Sequence, residues 1–127
     1  MESTKYLIDS NAISDYLGGR VSELALNFMD EVMDNQPAIS VINRIELIGH
    51  NHPELPQFLS AVACCNVLEL TEEIVIRTIS LRKSRSVKIP DAIIAATALV
   101  YNLTLVTHNF SDFRNIANLK LIDLHDL

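Results

Sequence analysis

Four acids stand at breaks between apolar runs: Asp9, Glu46, Asp91 and Asp112. Asp9 closes the run KYLID, Glu46 lies on a short helical stretch at 41–49, Asp91 opens the run DAIIAATALV, and Asp112 lies in the polar segment THNFSDF. Each has an ordinary structural explanation. Asp9-Ser10-Asn11 is good capping chemistry for a following short helix. Glu46 reads as a boundary glutamate reaching solvent. An acid at position 91 gains ~0.3–1 kcal/mol from the dipole of the helix it opens, and Asp112 reads as a turn residue. Brought together, they would repel. Two unit charges about 4 Å apart at an effective dielectric near 20 interact by about 4 kcal/mol. A cluster of carboxylates therefore needs raised pKa values or a bound cation. An all-oxygen donor set suits a hard divalent ion such as Mg²⁺ or Mn²⁺. Such an ion lowers the pKa of a coordinated water and neutralises charge building on a phosphoryl group. The chemistry this points to is hydrolysis of a phosphodiester.

The elements that must position these acids are readable from periodicity. Residues 5–9, 38–40, 66–70, 103–106 and 119–123 read as short apolar strands. Residues 22–34 read as a helix with Ser22 as N-cap and Leu24, Phe28, Met29 and Val32 at helical spacing. Ser40 caps a helix over 41–49, with Val41, Ile45 and Ile48 on one face and Glu46 at its edge. Residues 53–63 form another short helix. Thr71 opens a long one reaching about Arg85, with Glu72 and Glu73 in its first turn and Arg82, Lys83 and Arg85 in its last, an order that suits the helix dipole. The helix 91–101 is apolar on nearly every side and belongs in the centre of the core. Strands alternating with helices indicate an α/β domain with a mostly parallel sheet, in which ligands bind beyond the carboxyl ends of the strands.

The 127 residues, 49% of them apolar and 20% charged, fit one domain over 1–127 with a substantial core. No apolar run is long enough to span a membrane, and the segment MESTKYLIDS has no long apolar stretch or cleavage site, so no signal peptide and a cytoplasmic location are expected. Cys64 and Cys65 are adjacent and read as small buried hydrophobes on a helix. The H-N-H run of His50 and His52 reads as loop polarity. A formal net charge of −6 argues against broad affinity for nucleic acid, so a nucleic-acid substrate requires a local basic patch. Arg77, Arg82, Lys83, Arg85 and Lys88 crowd into the stretch before Asp91. Arg85 and Lys88 are the best placed, and Arg44 stands two residues from Glu46.

Taken together, LIDSNAISDYL at 7–17, ISVINRIELIGH at 39–50, LRKSRSVKIPDAIIAATAL at 81–99 and LVTHNFSDF at 105–113 resemble the PIN-domain nucleases, most closely the VapC-type toxins of bacterial and archaeal toxin–antitoxin pairs. The segments span nearly the whole chain in the family's order, and IPDAIIAATAL is the most specific. The resemblance implies a three-layer α/β/α sandwich, Mg²⁺- or Mn²⁺-dependent endoribonuclease activity on an RNA substrate, a VapB-type antitoxin occupying the active-site groove, and a homodimer. It maps the catalytic acids onto Asp9, Glu46, Asp91 and Asp112. Asp9 and Asp91 then hold the metal most directly, with Glu46 and Asp112 acting directly or through water. Asn11 and Thr107 match polar positions that orient carboxylates or water. Two positions depart from the pattern: Asn109 stands where some relatives carry an acid, so the fourth role falls to Asp112 or is shared, and His108 stands where arginine is common.

Three competing readings are weighed beside this one. A haloacid-dehalogenase-type phosphatase also places an acid after its first strand, but needs a second aspartate where this chain has Asn11. A PIN fold that has lost catalysis would serve as an RNA- or protein-binding module; the presence of all four acids speaks against it. A housekeeping RNA-processing nuclease would share the chemistry and differ in having no antitoxin.

Overall fold

The computed structural model describes residues 5–127. The absence of a signal peptide was read partly from residues outside that range. In chain order the elements are β1 (Tyr6–Ile8), α1 (Ser10–Leu17), α2 (Glu23–Asp34), β2 (Ala38–Ser40), α3 (Val41–Ile48), α4 (Leu55–Ala63), β3 (Asn66–Leu68), α5 (Glu72–Ser84), α6 (Ile89–Tyr101), β4 (Thr104–Thr107), α7 (Phe110–Phe113), β5 (Lys120–Asp123) and a closing 3-10 turn, Leu124–Asp126. The strands form one five-stranded sheet in the order β3-β2-β1-β4-β5, and every neighbouring pair is parallel.

That order has a functional consequence. From β1 the chain winds outward through β2 to β3, then returns to β4 on the other side of β1 and continues to β5. The winding direction reverses between β1 and β4, and the crevice beyond the carboxyl ends of those two strands is where open α/β sheets bind ligands. Asp9 follows β1 directly, its amide donating to the Val106 carbonyl at 2.9 Å, and Thr107 is the last residue of β4.

Alternation along the strands divides the core between two faces. Ile8, Ile39 and Val106 pack with Ala12 and Ile13 of α1, Ala25, Met29 and Val32 of α2, and Ala61 and Val62 of α4. Leu7, Ala38 and Leu105 pack on the other side with Ile94, Ala95 and Ala98 of α6 and Phe113 of α7. Helix α5 lies outside α6, where Ile74 meets Ile93 and Ala96. This is the expected α/β/α layering, with α6 buried continuously from Ala92 to Ala98.

Helix caps lie where the sequence places them: Ser22 opens α2, Ser40 opens α3 and Thr71 opens α5, each accepting a bond from a first-turn amide. Several expectations need correction. Helix α6 begins at Ile89, two residues early, because proline at its first turn needs no amide partner. In α2 the stripe runs through Ala25, Met29 and Val32, while Leu24 points outward at 71% exposure. In α3 the buried positions are Asn43 and Leu47, and Ile45 faces solvent at 60%. A polar side chain, Asn43, thus occupies the core-facing position assigned to the apolar stripe. Cys64 is exposed because α4 ends at Ala63 and Cys64 caps it; Cys65 is half-buried, its thiol donating to the Ala61 carbonyl. The helix α1 was visible only as capping chemistry, and α7 was read as loop.

Candidate active site

The site grows from Asp9. Its position after β1 makes it the N-cap of α1, with Oδ1 accepting from the Ser10 amide at 2.9 Å. Capping and a role in the cleft are therefore compatible, since Oδ2 points elsewhere: Thr107 Oγ1 donates to it at 2.9 Å. A second donor comes from α3. Asn43 is fully buried and bridges three groups: its Oδ1 accepts from the Ser40 amide at 3.0 Å, and its Nδ2 donates to Asp9 Oδ1 at 3.2 Å and to Ser10 Oγ at 3.0 Å. Ser10 Oγ in turn donates to Glu46 Oε1 at 2.7 Å. A chain of bonds thus runs Thr107–Asp9–Asn43–Ser10–Glu46 across the ends of β1, β2 and β4.

Asn43 and Ser10 were missed in the sequence. The signal was present for Asn43: Ser40-Val41-Ile42-Asn43 has the spacing of a capping box, and both of its reciprocal bonds are formed. What local pattern does not reveal is that the amide's other end reaches Asp9.

Asn11 Oδ1 accepts from the His108 amide at 3.1 Å and lies 3.4 Å from Thr107 Oγ1, tying α1 to the segment after β4. Thr107 Oγ1 also accepts the Asn109 amide at 2.9 Å. Asn109 caps α7 through its backbone, with its side chain exposed, while Asp112 lies in the first turn of α7 and is exposed. Asp91 lies half-buried in the first turn of α6.

Electrostatics bring the four acids into one neighbourhood. Burial pushes the Asp91 carboxyl above its ordinary range; the negative charges of Asp112, Asp9 and Glu46 push it further, and Lys88 partly offsets them. Burial also raises Asp9, outweighing the bonds from Thr107, Ser10 and Asn43, with Glu46 adding to the rise. The acids are more widely spread than a closed ligand cage: among the described residues, no three of them bring ligand atoms within 4.8 Å of one another.

Arg85 and Lys88 line a cleft together with Asp91, Ser111 and Asp112. Ser10, Asn11 and Glu46 open on the other side into a second cleft lined by Arg20, His50 and His52. Arg44 is exposed on α3 and lines neither. Arg82 is turned back, its Nε donating to the Val87 carbonyl at 3.0 Å. Among the described residues, no helix is long and apolar enough to cross a membrane.

Comparison with known proteins places this geometry. No curated protein sequence matches the chain. Solved structures do: a toxin–antitoxin complex from Klebsiella pneumoniae is 26% identical with a TM-score of 0.78, covering 97% of this chain and 100% of that one. VapBC-1 from nontypeable Haemophilus influenzae is 25% identical with a TM-score of 0.74, covering 95% and 98%. FitAcB from Neisseria gonorrhoeae, at 21% identity and a TM-score of 0.79 over 96% and 99%, shares the fold. The family model of the PIN domain matches residues 6–119, from β1 to the residue before β5, and this chain belongs to the PIN domain family.

Proposed function

We propose that this chain is a metal-dependent endoribonuclease and the toxin of a VapBC-type pair, held inactive by a VapB-type antitoxin over the cleft. The observation that carries the reading is the gathering of acids from separate parts of the chain at the strand ends: Asn43 and Ser10 join Asp9 to Glu46, Asp91 and Asp112 line one cleft, and the charges of the other three raise Asp91. Membership of the PIN domain family supports it, as do the neighbours at 25–26% identity described as toxin–antitoxin and VapBC structures.

The residues fit a hard divalent cation. All four candidate ligands are carboxylates; burial raises Asp9 and Asp91, Glu46 adds to the rise at Asp9, and Asp112, Asp9 and Glu46 add to it at Asp91, which a cation would relieve. Asp9 and Asp91 would hold it, with Glu46 and Asp112 completing the set directly or through water. When bound, Mg²⁺ or Mn²⁺ would supply an activated water and charge neutralisation at the phosphoryl group.

The chain's own residues then have separable tasks. Thr107 and Asn43 fix the Asp9 carboxylate from two sides, so its rotamer is set before substrate arrives. Ser10 holds Glu46 Oε1 and so fixes that carboxylate beside Asp9, where it can act as an acceptor for a water proton. Asn11 braces the segment that carries Asn109 and Asp112. Arg85 and Lys88 offer positive charge to the RNA backbone beside Asp91 and Asp112, the local patch that a net charge of −6 demands. A homodimer is part of the proposal; apolar side chains are exposed on α2 and α4, as at Leu24 and Leu59, and also at Ile76, Ile79 and Ile89 of α5 and α6.

The test is incubation of the purified protein with total RNA, with and without Mg²⁺ or Mn²⁺, followed by end mapping. Discrete metal-dependent cuts are expected, suppressed by the product of a neighbouring antitoxin-sized gene. Metal binding without cleavage would favour the silent binding module, and cleavage with no inhibiting partner would favour a housekeeping nuclease.

A further inference from the structure

A second cluster lies outside the four-carboxylate site. Asp15 comes from the last turn of α1, His108 from the residue after β4, and His125 from the closing 3-10 turn. Among the described residues, this is the one group of three or more histidine, cysteine or acidic side chains whose ligand atoms all lie within 4.8 Å of one another. His125 Nε2 is 3.3 Å from Asp15 Oδ2, and His108 Nδ1 abuts the same oxygen. The two imidazole rings meet edge to face with centroids 4.5 Å apart.

Asp15 is the hub of this cluster, with His125 Nε2 in hydrogen-bond contact with its Oδ2, and two further observations bear on what the cluster can hold. Asp15 is buried, and its other oxygen, Oδ1, is held by Arg20 Nε at 3.0 Å, which leaves Oδ2 turned toward both histidines. His108 Nδ1 is enclosed from solvent and, despite touching Oδ2, makes no hydrogen bond of acceptable geometry. His108 Nδ1, His125 Nε2 and an Asp15 carboxylate oxygen thus lie close enough together to reach one ion after a small rearrangement. Burial pushes the Asp15 carboxyl up, but Arg20, His108 and His125 outweigh it and hold it below the usual range, so it is an anion at neutral pH.

We propose that Asp15, His108 and His125 form a transition-metal site, taking Zn²⁺ or an ion of similar preference, separate from the carboxylate cleft. Two imidazole nitrogens and one carboxylate oxygen, with a fourth position left for water, form a familiar zinc donor set. Imidazole suits Zn²⁺, whereas Mg²⁺ prefers oxygen ligands, so the two sites differ in kind. A bound ion would staple α1, the β4–α7 connection and the closing turn together. The His108 amide already donates to Asn11, so the staple would also steady the segment leading to Asp112. The nearby Arg20 charge weakens the site, and its removal should tighten it.

The test is calorimetric titration of metal-stripped protein with Zn²⁺ in excess Mg²⁺, backed by the visible spectrum of the Co²⁺ form. The wild type and Asp9→Asn should each take up one Zn²⁺ per chain with a tetrahedral-type Co²⁺ spectrum. His125→Ala and the milder His125→Gln, both checked for folding by circular dichroism, should bind at least tenfold more weakly, and Arg20→Gln several-fold more tightly. Absence of stoichiometric uptake by the wild type overturns the proposal. So does binding that survives in the His125 variants and disappears in Asp9→Asn, since the ion would then sit in the cleft.

Discussion

Asn43→Ala probes how the cleft is held in place. The side chain is fully buried and donates to an ionised acceptor, Asp9, while accepting from the Ser40 amide. A hydrogen bond to a charged group contributes about 1.5–3 kcal/mol, and leaving a buried amide without a partner costs about 1–3 kcal/mol. Together the truncation should destabilise the protein by about 3–5 kcal/mol, a large part of the ~5–15 kcal/mol that holds a domain folded. Urea denaturation monitored by circular dichroism measures it, and a cycle with Asp9→Asn isolates the shared term. The two changes should be non-additive by about 1 kcal/mol or more, because one removes the Asn43–Asp9 bond and the other removes the charge that strengthens it. In parallel, Asn43→Ala should need more Mg²⁺ for RNA cleavage, since Asp9 is no longer fixed. A destabilisation below about 1 kcal/mol, or additivity within ~0.5 kcal/mol, would show that Asn43 is a capping residue that merely passes near the acid.

Other consequences follow from the same geometry. Asp9 and Asp91 have folded pKa values raised above the unfolded 3.8. Between those values the native state binds more protons than the unfolded one, so their contribution falls as pH rises through the window. Metal-free protein should therefore lose stability from this pair as pH rises from about 4 toward neutrality, and Mg²⁺ should restore it; thermal melts at several pH values, with and without Mg²⁺, read this directly. Asp15, lowered instead, acts oppositely and loses its contribution only as pH falls below the ordinary carboxylate range. Arg85→Ala and Lys88→Ala should each weaken RNA binding and reduce the slope of log affinity against log salt by about 1, measured by filter binding with Asp9→Asn as the non-cleaving background. Asp112→Asn should reduce cleavage far more than Asn109→Ala, because the carboxylate coupled to Asp91 is that of Asp112; equal losses would mean that the fourth role is shared.

How much of this was legible in the sequence depends on the range of the interaction concerned. The alternation of strands and helices and the caps at Ser22, Ser40 and Thr71 follow from local rules and appear as read, whereas the α/β/α layering came from the family resemblance. The α6 helix was identifiable because a long apolar run has few other places to go. The face of α3 was misjudged because periodicity counts apolar residues, whereas tertiary contacts turned Asn43 inward to meet Asp9 and left Ile45 outside. The α7 helix is a four-residue turn, too short for any periodic signal. Asp9, Glu46, Asp91 and Asp112 were individually ambiguous because each has a local role that it can also play. Asp9 plays both, capping α1 with one oxygen while the other meets Thr107 across 98 residues of sequence. Ser10 and the Asp15–His108–His125 cluster left no local trace, since their partners meet only once the strand ends are brought together.

Cleavage of RNA by Asp9→Asn beside the wild type, both confirmed as folded and both assayed in Mg²⁺ and in chelator, tests the four-acid site most directly. Wild-type protein should cut in Mg²⁺ and not in chelator, and the variant should lose at least about a hundredfold in rate while keeping its fold. Undiminished cutting by Asp9→Asn, or cutting by the wild type in chelator, would contradict a metal-dependent site built on Asp9.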